Sequence, residues 1–367
     1  MKKWTFAVSV LGLTMGTALA GTTLANSETL NIYNWSDYIA EDTIEKFTKA
    51  TGIEVNYDVY DSNEVLEAKM LAGSSGYDLV VPTSDFLMRQ AAAGAYQPLD
   101  KSKLPNLKNM DPKLMATAAA YDEGNKNAVI YMWGTTGIGV NNAKVKERLG
   151  ADFALDSWNL IFDEAVISKL ADCGVSILDA PTEMIPAAMN YLGLDPRSTN
   201  KDDLAKGAAL LEKIRPHVRY FHSSQYINDL ANGDTCVSVG WSGDIVQAQT
   251  RATEAENGVD IAYIIPKEGA LQWFDMMAIP VDAPNPDAAH KFINFVMDAQ
   301  ITADITNYVA YANANTASMA LVDDAIKNDT GIFPTQETLD KLWASKVYGS
   351  KTDRISTRLW TKVKTGH

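Results

Sequence analysis

The sequence predicts an α/β protein built as two lobes with a ligand cleft between them. Three observations lead there. Strand-like and helix-like segments alternate from residue 30 onward, the rhythm of a mostly parallel sheet flanked by helices. The same rhythm returns in mid-chain with no Pro/Gly/Ser-rich linker before it, which suggests that the chain crosses between lobes more than once. At 367 residues and 46% apolar content there is material for two cores.

The elements follow in order. Residues 1–25 read as a cleavable signal peptide: Lys2 and Lys3, an apolar run from Phe6 to Leu13, then small residues at Ala18–Ala20 and Thr23–Ala25, with cleavage after Ala20 or Ala25 both open. Leu30–Tyr33 alternates as a strand. A helix follows near Asp42–Ala50, where Ile44 and Phe47 share a face, Glu45 and Lys49 pair at i,i+4, and Gly52 ends it. Ile53–Val59 alternates cleanly, a helix is expected near Asn63–Ala72, and the apolar Leu79–Val81 stops at Pro82. In the middle, strands are expected near Ala128–Met132, Val175–Leu178 and Cys236–Gly240, with helices at Thr182–Leu192 and Asp202–Ile214. The end reads as mainly helical, from Asp287–Met297 through Gln336–Ser345 to a basic tail. The lobes are expected at 26–133 with 258–309, and at 134–257 with 310–367.

Charge and cysteine content narrow the function. The formal charge of −14 becomes −16 once residues 1–25, with two lysines and no acid, are removed. Such a surface disfavours nucleic acid and anionic lipid and attracts cations. In an exported protein, Cys173 and Cys236 read as one disulfide rather than a metal pair or two free thiols. It would close a loop of about 60 residues, worth about 4 kcal/mol in the chain-entropy model.

No catalytic motif is present. Gly240-Trp241-Ser242-Gly243 lacks the spacing of a nucleophile elbow, and Gly134-Thr-Thr-Gly137-Ile-Gly139 lacks the order of a dinucleotide loop. The four histidines show no metal-ligand spacing. What recurs instead is a pairing of aromatics with acids: Trp35-Ser36-Asp37-Tyr38, Trp241-Ser242-Gly243-Asp244 and Trp273-Phe274-Asp275. Aromatic faces attract ammonium groups and a carboxylate supplies the charge-assisted hydrogen bond, so the pairing suits a small organic cation. Binding, not catalysis, is the expectation, with neither metal nor cofactor. Asp37 and Asp85 also lie near expected helix starts, where capping would account for them.

Several segments together resemble the periplasmic polyamine-binding proteins of bacterial ABC transporters, and within them the putrescine-binding components: Asn31–Tyr38, Asp61–Glu64, Asp78–Pro82, Phe221–Asp229, Gly240–Asp244, Ile265–Gly269 and Tyr311–Asn315. The resemblance implies a two-lobed type II solute-binding fold that closes on a polyamine and delivers it to an inner-membrane ABC permease, as a periplasmic monomer. It implies an aromatic box of Trp35, Tyr38, Trp241, Trp273 and Tyr311. It places Ser36, Thr83 and Asp244 at one ammonium end, Asp275 as anchor of an amine, and Glu183 as a direct or water-mediated contact. Cys173 and Cys236 match the family's disulfide pair. Two positions depart from the putrescine-binding pattern, which the resemblance gives as serine at 85 and phenylalanine at 273. Asp85 and Trp273 follow the spermidine-preferring pattern, so spermidine is expected to bind at least comparably. The rival readings are the same fold with another small cation, a polyamine sensor, and a secreted hydrolase.

Overall fold

The computed structural model describes residues 28–366; the expected signal peptide lies outside them. Among the described residues, ten strands join in one sheet: β1 (Thr29–Trp35), β2 (Glu54–Tyr60), β3 (Leu79–Val80), β4 (Ala128–Asn141), β5 (Val175–Ile177), β6 (Tyr220–Phe221), β7 (Val237–Trp241), β8 (Ile261–Ile264), β9 (Leu271–Ala278) and β10 (Trp343–Ala344). The order is β2-β1-β3-β9-β4-β7-β5-β6, with β10 beside β9 and β8 beside β4.

The expected parallel pairing is found towards the two ends, β1 with β2 and β3, and β5 with β6 and β7. The centre corrects the expectation of a mostly parallel sheet. β4 runs antiparallel to β9, β7 and β8, and β3 antiparallel to β9. Those pairings join strands that return from the opposite lobe, so their direction reverses.

β4 is also far longer than the expected Ala128–Met132. Every one of its residues is buried. Its first part pairs with β9 and its second with β7 and β8. Gly134, Gly137 and Gly139 look like breaks in the sequence but are close approaches in the fold. A Cβ at Gly134 would stand 2.7 Å from both Ser242 Oγ and the Trp273 ring.

Two hydrophobic cores flank this strand. The first includes Leu30, Phe47, Leu66, Ile130, Phe274 and Phe292; the second includes Trp158, Ile177, Met184, Leu211, Tyr226 and Trp360. The chain passes between them within β4, between β8 and β9, and between Trp343 and Tyr348. Two segments pack in the core opposite to the lobe expected for them. Ile261 packs in the second core, and Tyr311, Ala312, Ala314, Ile332 and Trp343 pack in the first. The first of these crossings is made inside a paired strand, β4, rather than in a linker.

Local signals hold well where periodicity is strong. The helix after β2 spans Asn63–Ala72, with Ser62 capping the Val65 N–H at 3.2 Å. The expected helix at Gln336–Ser345 shrinks to Gln336–Leu339, and Trp343–Ala344 pairs instead with Leu271–Gln272. Burial of the Trp343 indole in the first core outweighs local helix preference there. Cys173 and Cys236 form the expected disulfide, Cα atoms 5.6 Å apart. No described helix is long and apolar enough to cross a membrane.

Candidate ligand-binding site

A cleft opens between the cores. Eleven of the twelve expected binding residues line it: Trp35, Ser36, Tyr38, Thr83, Asp85, Glu183, Trp241, Asp244, Trp273, Asp275 and Tyr311. The twelfth, Asp37, does not. Its carboxylate turns to Arg251 at 2.8 Å and is 44% exposed. Its φ of 54° places it in a left-handed turn, which Asp tolerates, rather than at a helix cap.

The acids reach the cleft in two ways. Asp85, Glu183 and Asp244 stand in the first turns of helices Ser84–Ala92, Pro181–Tyr191 and Ser242–Glu254, where the helix dipole favours a negative charge. None is the capping residue itself, which answers the capping alternative for Asp85. Asp275 instead projects from β9, and its Oδ1 accepts the Thr83 hydroxyl at 2.8 Å. Thr83 is held in turn by Asn63, which accepts its N–H at 3.1 Å and donates to its Oγ1 at 2.8 Å.

Glu183 accepts from the Thr136 hydroxyl and from Trp241 Nε1, at 3.2 and 3.3 Å to its two oxygens. Asp244 accepts the Tyr226 hydroxyl at 2.7 Å and the Tyr311 hydroxyl at 2.6 Å. Gly243 makes the second bond possible, since a Cβ there would lie 2.3 Å from the Tyr311 ring.

The aromatic walls come from both cores. Trp35 donates its indole N–H to Val81 O at 2.9 Å and meets Trp241 edge-on at 5.7 Å. Tyr311 contacts Tyr38 at 4.9 Å and Trp273 at 5.5 Å. The Tyr38 hydroxyl lies beside Asp275, near enough to lower its pKa but outside hydrogen-bonding geometry.

The lining holds five acids, Asp61 included, and no Lys or Arg. Burial dominates the titration of Asp85, Glu183, Asp244 and Asp275. It pushes Asp275 up to about 7, against the Thr83 hydrogen bond and the nearby Tyr38 hydroxyl, which both lower it, with Glu183 and Asp85 adding repulsion. Burial likewise raises Glu183 to about 7 and Asp244 to about 6. Asp85 is raised too, chiefly by burial, with its own and Phe86's N–H and Arg89 opposing. An acid-rich cavity without its own cations is incomplete without a positively charged guest.

The expected set leaves out Asp61, Asn63, Phe86, Thr182, Ser223, Leu271 and Ser345, which also line the cleft. Asp61 and Asn63 lie in one of the segments that carry the resemblance. Nothing local marks Ser345, which arrives with the third crossing.

This fold and cleft define a solute-binding protein. The chain belongs to the bacterial extracellular solute-binding proteins, whose family pattern matches residues 42–335. It is 54% identical to the putrescine-binding periplasmic protein SpuD of Pseudomonas aeruginosa, over 98% of this chain and 99% of that one. It is 53% identical to the putrescine-binding periplasmic protein PotF of Escherichia coli, over 100% and 98%. Among solved structures, a putative spermidine/putrescine ABC transporter protein from Listeria monocytogenes is similar, with TM-score 0.83 and 34% identity, over 93% of this chain and all of that one.

Proposed function

We propose that this protein is the periplasmic substrate-binding component of a polyamine ABC uptake system, taking putrescine and spermidine and acting as a monomer that presents them to an inner-membrane permease. The observation that carries this reading is the cleft lining: five acids, no basic side chain, and aromatic walls. A diamine is an apolar rod with a charge at each end, and each buried ammonium needs its own counter-charge. Asp244 serves one end with Ser36, and Asp275 with Thr83 serves the other. Trp35, Tyr38, Trp241, Trp273 and Tyr311 cover the methylenes, each adding about 0.5–2 kcal/mol where it faces an ammonium. Glu183 contributes directly or through water, and Asp85 meets the third ammonium of a triamine. The names of the relatives support the same ligand class, and export through residues 1–25 completes the reading.

Calorimetric titration with putrescine, cadaverine, agmatine, spermidine and spermine, beside a neutral sugar, tests it. Micromolar or tighter binding of at least putrescine is expected, with a raised melting temperature on addition. No response to any of the five amines, beside a clear response to the sugar, would overturn it.

A further inference from the structure

Two phenols hold Asp244, and they come from different cores. Tyr311 of the first core donates to Oδ1, and Tyr226 of the second donates to Oδ2. Only Tyr311 lines the cleft; Tyr226 is fully buried behind it. The Tyr226 ring lies so close to Gly240 that a Cβ there would stand 2.4 Å from a ring carbon. Its oxygen also accepts the Trp241 N–H at 3.1 Å. A phenol that accepts from an amide becomes a better donor, so the chain from Trp241 N–H through Tyr226 to Asp244 reinforces itself.

Packing alone gives no reason for that hydroxyl, since phenylalanine would fill the same space without a polar atom to satisfy. We infer that Tyr226 is a positioning residue for ammonium capture: from outside the ligand's reach, its hydroxyl fixes the Asp244 carboxylate and the Trp241 backbone to the second core. Helix Ser242–Glu254, which carries Asp244, sets Ile245, Ala248 and Ala252 into that same core. The Tyr226 bond therefore lies within one lobe and does not wait for closure. The Tyr311 bond, in contrast, joins the two cores.

The charged groups facing Asp244 are Asp37, which raises its pKa, and Arg251, which lowers it; both phenols lower it as well. Loss of the Tyr226 donor should leave the carboxyl easier to protonate. The ammonium role rests on the polyamine reading, whereas the hold on Asp244 does not, and the test separates them.

The first measurement follows the Asp244 carboxyl by carbon NMR in the ligand-free protein, for wild type and Tyr226→Phe. The titration midpoint should rise by about 1 pH unit in the variant. The second is putrescine affinity at pH 6 and pH 8, which should fall about tenfold and about threefold. An unmoved midpoint, or an equal loss of affinity at the two pH values, would overturn the inference and reduce Tyr226 to packing. A shifted midpoint in a protein whose wild type binds no polyamine would refute the ligand reading alone. Should Tyr226→Phe fail to fold, 3-fluorotyrosine at position 226 replaces it as a stronger donor. It should lower the midpoint, and a midpoint that stays put would overturn the inference.

Discussion

Asp37 and Arg251 form an ion pair at 2.8 Å that joins the turn after β1 to helix Ser242–Glu254. Arg251 also donates to Asn228 Oδ1 at 2.8 Å. Asp37 is thus occupied by a protein cation and faces away from the cleft. Asp37→Asn should change stability by less than about 1 kcal/mol, as for other exposed pairs. It should weaken putrescine binding less than either cleft-acid substitution below. Titration of the three variants side by side decides; a loss for Asp37→Asn as large as for Asp244→Asn would place Asp37 on the ligand.

Asp244 and Asp275 are both buried in the cleft, where the proposed function makes them the counter-charges of the two ammonium groups. Asp244→Asn and Asp275→Asn should each weaken putrescine binding by about 2–4 kcal/mol, because each strands an ammonium without its partner. Affinities within threefold of wild type for both variants would show that the ligand lies elsewhere.

The raised carboxyl pKa values predict a specific pH response. Asp275 and Glu183 move up to about 7 and Asp244 to about 6, from ordinary values of 3.8, 4.5 and 3.8. Between those limits the native state holds protons that the unfolded state has released. The ligand-free protein should therefore lose stability from these groups as pH rises from about 4 to about 7. A bound dication reverses the preference, because it favours the ionised acids. Stabilisation by putrescine should grow from pH 5 to pH 7.5, and its affinity should fall as pH drops through that range. Thermal melts with and without ligand across this range check both signs; a ligand-induced shift independent of pH would contradict them.

Asp85 and Trp273 both line the cleft, and the proposed function makes them the residues expected to set chain-length preference. At Asp61, Phe86, Thr182 and Ser223 this cleft adjoins a second, solvent-open pocket. The Asp85→Ser, Trp273→Phe double variant should lose more affinity for spermidine than for putrescine. Titration with both ligands decides, and equal losses would show that these two positions do not set chain length.

Local pattern was enough to announce the first three strands, the helix at Asn63–Ala72 and the disulfide partners, because alternation, capping and a lone cysteine pair act over short range or leave one pairing. It also supplied the three contiguous aromatic–acid groups, whose aromatic and acidic residues other than Asp37 and Phe274 line the cleft, whereas Thr83, Asp85, Glu183 and Tyr311 came only with the resemblance. What it did not contain was decided by contacts between distant segments. β4 runs through its glycines because Trp273, Ser242 and Ile264 pack where a side chain would stand. Trp343 leaves its expected helix because β9 offers it a partner strand and the first core buries its ring. Asp37, inside the most suggestive motif, is drawn to Arg251, 214 residues away. Tyr226 shows no sign of its role until Asp244 is folded against it. Alternation and capping are energies of neighbouring residues, whereas strand pairing, ion pairing and carboxylate orientation depend on which surfaces the finished fold brings together.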